Sequence, residues 1–113
     1  MMTRRFVVLA LVLMPLVIPA WGQTDAVAGT WQGTLPKAGL PLVFTFKADG
    51  TGTVDSTKQN FHSAATISLS GTTMTISVPA VQGTFTGTLA GAKAIGTWSQ
   101  GSGYSDDLVL VKQ

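Results

Sequence analysis

Residues 65–78, Ala65-Thr66-Ile67-Ser68-Leu69-Ser70-Gly71-Thr72-Thr73-Met74-Thr75-Ile76-Ser77-Val78, decide the fold of this chain. On one side of Gly71, Ala65, Ile67 and Leu69 alternate with Thr66, Ser68 and Ser70; on the other, Met74, Ile76 and Val78 alternate with Thr73, Thr75 and Ser77. Successive side chains of a strand point to opposite faces, so each half presents one apolar face and one hydroxyl-bearing face. Ser70-Gly71 lies between them, and Gly takes the positive φ of a tight turn at no steric cost. The stretch reads as an antiparallel hairpin with one dry side.

The same period extends in both directions. Alternation predicts strands over 29–35, 40–47, 52–56, 65–70, 73–78, 83–89, 94–100 and 107–112, and no window holds helical spacing. Asp49-Gly50, Ala90-Gly91 and Gly101-Ser102-Gly103 supply further turns, so neighbours in sequence are expected to be antiparallel neighbours in space. Residues 57–62 make a longer polar connection ending in Phe61-His62, placed to cross one mouth as a lid.

From residue 23 onward the chain carries 15 Thr and 8 Ser, mostly opposite the aromatic residues, which suits a solvated pleat. Eight one-sided strands joined by hairpins close into an up-and-down barrel, removing the exposed edges that invite aggregation. The fold class expected is all-β, an antiparallel eight-stranded barrel; a two-sheet sandwich is the alternative. The expected inward set is Trp31, Leu35, Leu42, Phe44, Phe46, Val54, Ile67, Leu69, Met74, Ile76, Val78, Phe85, Leu89, Trp98, Leu108 and Leu110. Interiors of this size take about twelve side chains or one small ligand. The set therefore implies a largely filled barrel, with volume returned by inward glycines. Gly29-Thr30-Trp31-Gln32-Gly33-Thr34-Leu35 is echoed by Gly83-Thr84-Phe85-Thr86-Gly87-Thr88-Leu89 and by Gly96-Thr97-Trp98. Gly two residues from a ring lets a strand curl while the ring covers bare backbone; the alternative is a stacking platform on Trp31 and Trp98.

The first residues belong to a different class of segment. Arg4 and Arg5 precede an apolar run over residues 6–18, and Ala20-Trp21-Gly22 follows, the pattern of a secretory signal cut after Gly22. A membrane anchor would need about 20 apolar residues, and Pro15 and Pro19 interrupt this run. The expected organisation is a signal peptide over 1–22 and a single barrel domain over 23–113, secreted or periplasmic, with no membrane insertion once the leader is removed.

The 113-residue chain has room for one core, and with 45% hydrophobic and 11% charged residues it is neither a disordered chain nor a coiled coil. The net charge of +2 belongs to the leader, because Lys37, Lys47, Lys58, Lys93 and Lys112 balance Asp25, Asp49, Asp55, Asp106 and Asp107. Scattered single lysines assemble no phosphate-binding stripe, so nucleic acid is not an expected partner. With no Cys, disulfides, thiolate metal sites and a cysteine nucleophile are absent.

Chemistry finds little to work with. Asp55, Ser56, His62 and Ser63 lie close in sequence, but adjacent strand residues diverge, so Asp55 and Ser56 cannot both meet His62. There is no Glu, Asp106-Asp107 splits across its strand, and one His with isolated aspartates makes no metal set. No phosphate loop or dinucleotide fingerprint occurs. The expectation is a protein that is not an enzyme and holds no metal or cofactor.

Five short motifs in order carry a resemblance: Gly29-Thr30-Trp31-Gln32-Gly33, the run over 40–46, Asp55-Ser56-Thr57-Lys58-Gln59, Val78-Pro79-Ala80 before Gly83-Thr84-Phe85, and Gly96-Thr97-Trp98-Ser99-Gln100-Gly101. Together they resemble the N-terminal lipocalin-like, calycin-type β domain of secreted bacterial α/β-hydrolase-type esterases. More distantly, Gly-x-Trp in the first strand resembles lipocalins and avidins. No Gly-x-Ser-x-Gly elbow is present, so the resemblance implies an accessory barrel without the catalytic domain. Asn60 stands where that family usually has Gly. The resemblance carries over Asp55, Ser56, Gln59 and Gln100 as a polar set, and those residues can equally satisfy one another.

The site expected is a shallow apolar pocket at one mouth, with Ser56, Gln59, Trp98 and Gln100 as ligand-binding residues. Its partner is a small apolar or amphipathic molecule. The alternative is a filled module docking a protein through the few outward apolar residues, Pro41, Val43, Ile95, Val109 and Val111.

Overall fold

The structure is a computed structural model, and it describes residues 26–113; the expected signal peptide over 1–22 lies outside the described residues. Eight strands follow one another: β1 (Gly29–Leu35), β2 (Leu40–Phe46), β3 (Thr51–Ser56), β4 (Phe61–Ser70), β5 (Thr73–Val78), β6 (Gly83–Ala90), β7 (Lys93–Gln100) and β8 (Tyr104–Lys112). Each pairs antiparallel with the next, and β8 returns to β1, so the sheet is a closed up-and-down barrel rather than a sandwich.

Parity decides what fills it. In β6 every second residue faces in, from Gly83 and Phe85 to Gly87, while Thr84, Thr86 and Thr88 are exposed. All of the expected inward set is buried except Leu69 and Leu89, which are half-buried against the core. Ala65, Ala94 and Val27 join them; Val27 precedes β1 and accepts the Trp31 indole N–H at 2.9 Å. Trp31 is only 1% exposed, so it packs the core and offers no stacking surface. Aromatic rings lie directly over inward glycines: a Cβ on Gly83 would meet the ring of Trp98, and one on Gly87 the ring of Phe85, closer than 3.0 Å.

The ends differ in their connections. At one end, Gly71 and Gly91 open two-residue hairpins with positive φ of 61° and 63°, and Phe44 stacks on Phe46 with centroids 5.9 Å apart. At the other end, 3₁₀ turns over Thr57–Gln59 and Pro79–Val81 link β3 to β4 and β5 to β6. The segment expected to form a lid over 57–62 is therefore a single tight turn, and Phe61 and His62 already belong to β4. Asn60 and Gln82 end the two turns in the left-handed region, both at φ 53°, and each donates its N–H to the first carbonyl of its turn.

The seam is short. β1 and β8 share only the registers Trp31 with Lys112 and Gln32 with Val111, whereas β7 and β8 pair over their whole length.

Candidate functional site

Where the 3₁₀ turns stand, the core stops short of the rim and leaves a cavity of about 210 Å³. Its walls are apolar: Leu35, Leu40 and Leu42 from one side, Val54, Phe61, Val78 and Val81 from the other, and the Trp98 ring. Gln59, Gln100 and Tyr104 are its polar members.

The two 3₁₀ turns share one backbone and differ in chemistry. One carries Ser56 and Gln59; the corresponding positions of the other are Val78 and Val81. The rim thus has a polar arc and an apolar arc. Ser56 is completely buried, and its Oγ accepts Gln59 Nε2 at 3.0 Å. Across the mouth the Trp98 indole N–H donates to Gln100 Oε1 at 3.2 Å. The four residues predicted for the site form two separate pairs. Gln59, Trp98 and Gln100 line the cavity, whereas Ser56 lies behind Gln59 and is not among the lining residues.

Asp55 is apart from them. It points outward, pairs with His62 in the β3–β4 register, and its Oδ1 lies 2.5 Å from His62 Nδ1. Ser56 faces the core from the next position, so no Ser-His-Asp arrangement forms with these residues.

Tyr104, Phe61 and Asp106 were not read from the sequence as site residues. β8 begins at Tyr104, three residues earlier than the alternation indicates, and the inward column of Leu110 and Leu108 continues through Asp106 to Tyr104. Asp106 is 4% exposed and accepts three hydrogen bonds: from Lys37 N–H at 2.7 Å, the Tyr104 hydroxyl at 3.0 Å and Asp107 N–H at 2.8 Å. Burial pushes the Asp106 carboxyl up, but the Lys37, Tyr104 and Asp107 donors outweigh it and hold the group below the ordinary value. Burial first, and then the bond to Asp106 and its charge, raises the Tyr104 hydroxyl above its ordinary value. Lys37 Nζ also donates to Ser105 O at 2.8 Å. Asp106 therefore clasps the β1–β2 connection to β8 beyond the point where backbone pairing across the seam ends.

Among the described residues no group of three or more His, Cys, Asp or Glu could hold a metal, and no helix is long and apolar enough to cross a membrane. Comparison with family models, curated proteins and solved structures finds no match to this chain.

Proposed function

We propose that this chain is an exported, non-catalytic barrel that binds one small apolar or amphipathic molecule at its mouth. The observation that carries the reading is the apolar cavity of about 210 Å³ above an otherwise packed core, edged by three polar side chains. Concave, mostly apolar space with a few convergent polar groups is the common form of a small-molecule site, and eight-stranded barrels have room for one such ligand. The resemblance to the β domain of secreted hydrolases, in which the barrel is an accessory without the catalytic triad, agrees with a role in binding. The export signal over residues 1–22 supports action outside the cytoplasm.

The test uses the two indole groups of the barrel. Trp98 stands at the cavity and Trp31 in the packed core, so a ligand should shift the Trp98 indole N–H resonance saturably and leave that of Trp31 in place. A panel of short-chain alcohols, acids, amides and hydrophobic dyes that never moves Trp98 refutes the proposal.

One observation favours a second reading, a protein-docking module. Ile95, Val109 and Val111 are 55%, 42% and 41% exposed, and Ile95 faces Val109 across the β7–β8 ladder. A partner bound by the wild type and lost in Val109→Asp, with Trp98 insensitive to every compound, would establish that reading instead.

A further inference from the structure

We infer that the mouth selects uncharged ligands, molecules of about eight non-hydrogen atoms whose apolar body enters the cavity and whose head is a hydroxyl or primary amide. This rests on the reading of the mouth as a binding site and adds the chemical class of what it takes. The size follows from volume: a cavity of about 150 Å³ accepts benzene, so about 210 Å³ accepts a body only slightly larger.

Charge sets the class. Among the described residues no Lys, Asp or His side chain lines the cavity. The nearest lysines along the chain are committed elsewhere: Lys37 Nζ donates to Ser105 O at 2.8 Å and Lys58 Nζ to Gly39 O at 3.3 Å, both in exposed positions. A ligand carboxylate entering here would lose its hydration with no cation to receive it. It would also face Asp106, whose Oδ2 stands one hydroxyl behind the cavity wall, 3.0 Å from the Tyr104 oxygen. An ammonium feels that charge with the opposite sign but cannot reach the carboxylate, which is 4% exposed and already accepts three donors, so it too gives up hydration without a direct charged partner.

A neutral head finds partners. Gln100 accepts from Trp98 through Oε1 and keeps its amide N–H groups, while Gln59 donates to Ser56 from Nε2 and keeps Oε1. The indole N–H of Trp98, a donor only, fixes the Gln100 amide, while the Ser56 hydroxyl, which can donate or accept, is met by Gln59 through its Nε2. The rim therefore offers a donor on one side and an acceptor on the other, the complement of a group that both donates and accepts, as a hydroxyl or primary amide does.

The experiment titrates the full chain at pH 7 with 1-hexanol, hexanoate and hexylammonium, following the Trp98 indole N–H with Trp31 as internal control. Hexanol is expected to bind at least tenfold more tightly than either ion. Gln59→Lys, at an exposed position of the rim, is expected to raise hexanoate affinity at least fivefold. A smaller gap between hexanol and either ion overturns the selectivity while leaving binding intact, and no gain in Gln59→Lys overturns the placement of the head at the rim. If none of the three moves Trp98 saturably, the binding reading fails and the inference with it.

Discussion

At the end closed by the Gly71 and Gly91 hairpins, Val27, Trp31, Phe44, Phe46, Met74 and Leu110 fill the barrel. At the other end the same alternating strands leave a cavity of about 210 Å³ among Leu40, Val81, Phe61 and Tyr104, all only partly buried. The inward columns of β3 and β7 finish there on Ser56 and Gln100, and that of β8 passes through Asp106 before Tyr104, polar groups that do not interdigitate as the rings of the closed end do. Packing density, and with it stability, concentrates at the closed end, whereas the mouth trades packing for space and hydrogen-bonding groups.

The largest contrast is expected from truncation at the two ends. Phe44→Ala, at a completely buried stacked ring, is expected to cost about 3–5 kcal/mol in urea unfolding, the range for buried aromatic deletions. Val81→Ala, beside the cavity, is expected to cost less than about 1 kcal/mol, because water already reaches that side chain. Equal losses would break the contrast.

A second pair removes one indole at a time. Trp31→Phe leaves the Val27 carbonyl buried without its donor, at an expected cost of about 1–3 kcal/mol. Trp98→Phe frees Gln100 Oε1 at a partly buried position, where solvent can replace the lost bond, and is expected to cost about 1 kcal/mol or less. A larger loss in Trp98→Phe would mean that the mouth, not the closed end, holds the barrel shut.

The smallest effect sharpens the comparison at the clasp. The folded-state carboxyl of Asp106 lies below its ordinary value of 3.8, so its contribution is present above that value and is lost as pH falls through the folded one. In Asp106→Asn, acid unfolding is expected to lose part of its slope in that window while stability near neutrality falls modestly. An unchanged acid limb would show that the clasp adds nothing at the seam.

Much of the fold was legible because strand parity is a local property. Once Ile67 or Phe85 is placed inward, its neighbours two residues away must follow, and a slip by one residue would turn the whole apolar set outward. The outward positions of Ile95 and Val109 followed from the same rule. The lid over 57–62 failed because a polar run was read as loop. Asn60 instead takes the left-handed region, so β4 can begin at Phe61. Val78-Pro79-Ala80 makes the matching turn, and its apolar composition concealed it.

Of the candidate site, Gln59, Trp98 and Gln100 were found from the chain and do line the cavity, but Tyr104 and Asp106 were not. The polar run Ser105-Asp106-Asp107 after Gly101-Ser102-Gly103 looks like continued turn. Asp106 sits inward only because donors receive it, and the nearest of them, Lys37 N–H, comes from 69 residues away.

Period, turn glycines and the surplus of threonine were enough to determine eight one-sided strands in a single antiparallel order, since each depends only on residues a few positions apart. Which end is packed and which is hollow was settled only when the barrel closed, because ring volumes, the two 3₁₀ turns and the Asp106 clasp meet across strands that are distant in the chain.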